Sequence, residues 1–291
     1  MLGSEFIQQF AQKGLVSWEA AALQLARADA LTPWPWVELP LTDGQNSAVL
    51  RVQTDVLAIG TFEDHVRLPL TPGAGQSIFN LFGWLYPTPW IVYQMWRAAP
   101  LKMPPTPSVP NLGANLHQYM SHSQVIDQQL RDAGAAPNDP RLRGGIKKHI
   151  VVSNIAKPGK VLIFGWYRPP PAPDVFDDGR PMVTPDRQPI QPRSNVHGDF
   201  YADYAHGEQA IDGMSTVNGQ PMPTADLYQH PTLSKLVSNE GPVRVPRYPS
   251  AVQPAASRPV HGSTFRAAID VVPNLPADAD PGLEALIRRR G

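Results

Sequence analysis

The sequence of 291 residues contains no cysteine. That absence removes disulfides, thiolate nucleophiles, cysteine zinc sites and iron–sulfur centres at once. It does not fix a compartment, because proteins without cysteine occur inside and outside cells. Nor is there a surplus of charge: 25 Lys+Arg stand against 25 Asp+Glu. A nonspecific nucleic-acid binder normally carries a basic excess, so nucleic acid is not an expected partner. No apolar run reaches the roughly 18 residues of a membrane span, so no span is expected. The chain opens without a basic segment followed by an apolar one, so no signal peptide is expected in it as it stands. Gly3-Ser4-Glu5-Phe6 reads equally well as two translated cloning sites or as ordinary native sequence.

What is present is a chain able to fold. Apolar residues make up 42%, enough for a sizeable core. Proline (34) and glycine (22) together approach a fifth of the residues, so much of the chain is expected in turns and extended segments. The length suits one large domain or two small ones.

Ser17 to Leu31 is rich in Ala and Leu and predicts a helix capped by Ser17 and ended by the prolines that follow. Ala48 to Ile59 and His65 to Leu70 are rich in apolar and β-branched residues and predict strands. Helices are expected over Ala74 to Trp84 and from Pro89, behind the Thr88 cap, to Ala98. Trp90, Tyr93 and Trp96 in the second of these read as core. The Met103 to Pro110 stretch is proline-rich and reads as a connector. A longer helix is expected over Ala114 to Ala133. Its His117 and His122 are five apart, a spacing that does not make a shared metal face.

Lys147 to Asn154 and Lys160 to Tyr167 predict an antiparallel hairpin, with a long loop from Pro169 to Arg193 behind it. Ile211 to Val217 with the Asn218-Gly219 turn predicts another strand pair, and Leu227 to Val237 a short helix. A strand over Phe265 to Val272 and a closing helix over Pro281 to Arg290 complete the expectation.

The densest polar stretch is Ser194 to Glu208, with His197-Gly198, Tyr201, Asp203, Tyr204 and His206-Gly207. Three chemistries are open to it. His197, Asp203 and His206 could ligate a divalent metal such as zinc, since Asp203 and His206 would meet on one helical turn. A histidine oriented by Asp203 could serve as a general base. Ser194 or Ser153 beside such a base could be a nucleophile, although no Gly-x-Ser-x-Gly elbow exists. The plain alternative is that these groups brace a loop. Elsewhere, Glu63-Asp64-His65 reads as a solvated turn. The seven tryptophans read as core or as flat surfaces for stacking sugars.

Several pieces together resemble an uncharacterised bacterial protein family of secreted type. They are Val66 to Pro72, Leu85 to Pro89, Lys147-Lys148 before an apolar strand, Ser153-Asn154 and Phe164-Gly165-Trp166. Pro189-Ile190-Gln191-Pro192 through Val196-His197-Gly198, Tyr201, Asp203-Tyr204 and His206-Gly207 carries the resemblance furthest. It covers scattered blocks between residues 48 and 245 and implies no mechanism. It does imply that Lys147, Lys148, Asn154, His197, Tyr201, Asp203 and His206 belong to one constellation. The family pattern has a histidine before the two lysines and an acid after them, where this chain has Ile146 and His149.

The expected fold is therefore α+β: a small mixed or antiparallel sheet wrapped by helices, with long proline-rich loops. Residues 1–45 would form a helical N-terminal segment and 46–291 the domain proper, compact as one unit. The expected function is a hydrolase acting on a cell-envelope or extracellular polymer, peptide or glycan. His197, Asp203, His206 and Lys148 are the catalytic candidates, and Lys147, Asn154, Tyr201 and Trp166 the substrate-binding ones. The alternative is a non-catalytic binding or structural module of an envelope, virion or secretion assembly.

Overall fold

A computed structural model describes residues 1–168 and 189–249. The strand expected over 265–272, the helix over 281–290 and most of the expected loop after Pro169 lie outside the described residues.

The described chain is α+β, as expected. It begins with helices α1 (Gly3–Phe10) and α2 (Leu15–Arg27), then strands β1 (Trp36–Thr42), β2 (Ser47–Gln53), β3 (Ala58–Gly60) and β4 (His65–Arg67). Helices α3 (Pro72–Phe82) and α4 (Pro89–Ala98), the short β5 (Leu101–Lys102) and helix α5 (Leu116–Asp132) follow. The second half holds β6 (Arg143–Gly144), β7 (Lys148–Ile150), β8 (Ile163–Tyr167), β9 (Pro189–Ser194), β10 (His206–Gly207), β11 (Ile211–Val217), β12 (Gln220–Pro223) and helix α6 (Thr224–Gln229).

Two four-stranded sheets organise these pieces. One runs β1-β2-β11-β12 and is antiparallel throughout; the other runs β10-β7-β8-β9. In the second, β7 pairs antiparallel with β8, as the hairpin expectation required, while β10 joins β7 in parallel, His206 facing Lys148. That one parallel bridge brings the 203–208 stretch beside the paired lysines. Helix α4 packs on β8. Its Tyr93 and Trp96 are buried in the core, and Trp96 stacks on Tyr167 with ring centroids 5.6 Å apart.

Local chemistry explains most boundaries. Thr88 Oγ1 accepts the Ile91 N–H at 3.1 Å and Pro89 occupies the first turn, which fixes the start of α4. Asn115 caps α5 in the same way, its Oδ1 taking the Gln118 N–H at 3.0 Å. The Asn218-Gly219 turn between β11 and β12 has φ of +48° and +79°, the left-handed pair that a tight hairpin needs.

Three expectations need correction. Helix α2 starts behind Gly14 rather than Ser17, and it ends at Arg27, where Asp29 turns at φ +51° before any proline is reached. Within the 1–45 segment expected to be helical, Trp36–Thr42 forms strand β1 and pairs with β2, and its Pro40 is tolerated because β1 is an edge among the described residues. Residues 189–194, expected as the end of a loop, form β9 on the outer edge of the second sheet.

Candidate functional site

The site forms where β7, β10 and the loop before β10 meet. Lys147 lies in the bend just before β7 and Lys148 opens the strand, and the two side chains part company. Lys147 is fully buried. Its Nζ lies 3.0 Å from His122 Nδ1 on α5 and donates to the Tyr204 carbonyl. Lys148 is half-buried, with Nζ 5.5 Å above the ring of Trp166. Trp166 itself sits at φ +59°, next to Gly165 at φ +103°, where the register between β8 and β9 shifts. The irregularity turns the indole toward both Lys148 and His122, whose ring lies 5.9 Å away, edge-on.

Asp203 is buried and its carboxylate is well supplied with donors. Oδ2 accepts from Asn111 Nδ2 at 3.0 Å and from the Tyr201 hydroxyl at 3.1 Å, and Oδ1 from the Ala205 N–H at 2.9 Å. Burial works against its ionisation, but His206, Lys148 and these donors hold it below the ordinary carboxylate range. His206 is also fully buried, with Nε2 3.8 Å from Asp203 Oδ1. That gap is too long for a hydrogen bond, and among the described residues neither ring nitrogen has a hydrogen-bond partner. Burial pushes its pKa down to about 4 against the pull of Asp203, so the ring is neutral near pH 7.

Tyr201 packs edge-on against His206 at 5.7 Å and, on its other side, stacks flat against His197 at 3.9 Å and 12°. His197 and Tyr201 are half-buried and form the outer wall of the site. Burial and the Asp203 charge raise the Tyr201 pKa to about 12.

Beneath the site lies a buried ion network. Asp55 accepts from Arg67 Nη2 at 2.7 Å and from Arg143 Nη1 at 2.5 Å, and Arg67 Nη1 reaches Asp127 at 2.8 Å. Burial and then the Arg67 charge push Lys147 down to about 7. His122 is lowered by burial and by the Lys147 charge. Beside the site, His149 Nε2 is held by Gln209 Oε1 at 2.7 Å, whose amide in turn donates to the Gln53 carbonyl at 2.6 Å.

Lys147, Lys148, Trp166, Tyr201, Asp203 and His206 therefore gather as the sequence suggested, with His197 stacked on the outside. Asn154 is placed otherwise: its amide and backbone bond Glu240, Pro242 and Arg244. The serine nucleophiles are not assembled, since Ser153 Oγ donates to Glu240 and Ser194 Oγ accepts the Val196 N–H. The metal set is not assembled either. Among the described residues no three His, Asp or Glu side chains are disposed to hold an ion, and the His197 ring lies flat on Tyr201. The expected solvated turn at 63–65 buries His65 3.4 Å from Asp127. None of the seven tryptophans is exposed, so none offers an open stacking face.

Three residues that hold the site together, Asn111, His122 and Tyr204, were not among the site candidates that the sequence offered. Asn111 lies in the proline-rich stretch that read as a connector, and His122 was weighed only against His117, the wrong partner. No local signal could have paired His122 with a lysine 25 residues away. The chain matches no protein-family model, no curated protein and no solved structure.

Proposed function

We propose that this chain is a hydrolase whose acid–base pair is Asp203 and His206. The observation that carries the reading is the His206 imidazole: buried, neutral, beside an ionised carboxylate, with both nitrogens unpartnered. A buried polar ring without partners is uncommon, and one explanation is a reacting water or substrate group that completes it. In this reading His206 takes the proton of the attacking water and Asp203 stabilises the imidazolium that forms. Lys148 faces the negative charge developing on the substrate. His197 and Tyr201 form the outer wall. A cell-envelope or extracellular polymer, peptide or glycan, is the substrate class we favour, on the resemblance to a secreted-type family.

The second reading is a non-catalytic binding or structural module. It is favoured by the filled carboxylate of Asp203 and the fully engaged Lys147, both of which look like bracing. Incubating the purified chain with isolated bacterial cell-wall sacculi and, separately, with casein separates the two. Release of soluble fragments that grows with time and enzyme supports the hydrolase. No turnover of either material favours the module.

A further inference from the structure

The outer edge of the site carries an unusual concentration of exposed apolar side chains. Val196 is 74% exposed, Phe200 86%, Ile155 42%, Val109 90% and Leu112 56%. They sit on three loops that are tied together. Asn195 Oδ1 accepts the Lys157 N–H at 3.1 Å and Asn195 Nδ2 donates to the Ile155 carbonyl at 3.2 Å. The Asp199 N–H reaches the Gly159 carbonyl at 3.1 Å, and Lys160 bridges Gly198. The third loop joins through Asn111, which bonds Asp203, and through the Ser108 N–H on the Tyr204 hydroxyl at 2.7 Å. Scattered single apolar residues on a surface need no explanation, but five on one set of mutually bonded loops do.

Two lysines stand among them. Lys157 is exposed, and Lys160 is half-buried with its Nζ 3.3 Å from the Val196 carbonyl. Of the two acids on these loops Asp203 is buried and Asp199 half-buried, so at the surface Lys157 and Lys160 stand against Asp199 alone and the edge carries a slight positive balance.

We propose that these loops dock the protein on an anionic lipid surface. Four of the five apolar side chains are aliphatic and the fifth is phenylalanine, the type that enters the boundary between headgroups and acyl chains. A glycan would instead call for flat rings lying open, and Phe200 is the one aromatic among the five. Lys157 and Lys160 supply the complement to acidic headgroups. No hydrophobic span is involved: the loops would bury only their tips, with the site facing the interface.

The test is co-sedimentation of the full chain with two kinds of vesicle, equal parts phosphatidylglycerol and phosphatidylcholine, or phosphatidylcholine alone. Binding is expected to the mixed vesicles and to be much weaker to the neutral ones. V196S/F200S should abolish it, with the melting temperature unchanged because both side chains are exposed. K157A/K160A should lower partitioning on the order of twentyfold, at about fivefold per lysine near the surface. No sedimentation with either vesicle overturns the proposal. So does binding that survives V196S/F200S, and so does retention on purified cell-wall polysaccharide without any vesicle binding. The readout needs no turnover, so its failure leaves the hydrolase reading to its own test.

Discussion

Lys147 Nζ lies 3.0 Å from His122 Nδ1, in a place where neither residue meets solvent. For the imidazole to accept, it must be neutral with its proton on Nε2. The pairing therefore couples the charge of the lysine to the tautomer of the histidine, directly under the loop that holds Asp203.

The lysine gives the first prediction. Its folded pKa is pushed from 10.5 down to about 7. Between about pH 7 and 10.5 the unfolded chain therefore binds more protons than the folded one, and stability rises with pH across that window. Urea midpoints measured from pH 7 to 10 should climb in the wild type and climb less in Lys147→Met. Identical slopes in the two proteins would mean that Lys147 is charged and comfortable where it lies.

Glu208 should act in the opposite direction. It is fully buried, with Oε1 taking the Leu70 N–H at 3.0 Å and Oε2 unpartnered. Burial raises its pKa to about 8. The folded state thus holds a proton that the unfolded state has lost between pH 4.5 and 8, and stability falls as pH rises through that range. Glu208→Gln keeps the acceptor to Leu70 and removes the titration. Its melting temperature should overtake that of the wild type near pH 8, and an equal decline in both would contradict the assignment.

On the acid side, His149 and His206 are both lowered to about 4 by burial. Their stabilising contribution is present above pH 6.5 and is lost as pH falls through 4. A steep acid transition in circular dichroism between pH 6 and 4 is expected, displaced to lower pH in His149→Gln. A flat stability profile across that interval would show that both rings charge without penalty.

Gly207 tests how tightly the site is built. A Cβ there would meet Val56 Cγ1 at 2.6 Å and Lys147 Cβ at 2.9 Å. Gly207→Ala should cost about 1–3 kcal/mol, the usual range for overpacking. Denaturant titration showing no loss would mean that β7 and β10 can separate freely.

Much of this arrangement was legible in the sequence where one segment decides the outcome. The Thr88-Pro89 start of α4, the Asn218-Gly219 hairpin and the β7–β8 pairing each rest on neighbours along the chain. The polar density from Ser194 to Glu208 likewise marked the loop that carries Asp203 and His206. What was hidden depends on distant partners. Pro40 in β1 is acceptable because no described strand pairs on its far side, a fact of sheet order. Asn154 stands in a polar stretch, yet Glu240, Pro242 and Arg244 claim it. The metal reading failed because spacing places Asp203 and His206 together but cannot show that His197 turns its face to Tyr201.

The most direct measurement of the central claim compares the wild type with His206→Gln at pH 7, on the same cell-wall or protein substrate, with melting curves recorded in parallel. The account predicts a rate loss of about a hundredfold or more per folded molecule, as for removal of a general base, beyond whatever stability the exchange of a fully buried ring costs in the melting curve. Unchanged turnover per folded molecule, or a variant that loses its fold instead of its rate, would contradict it.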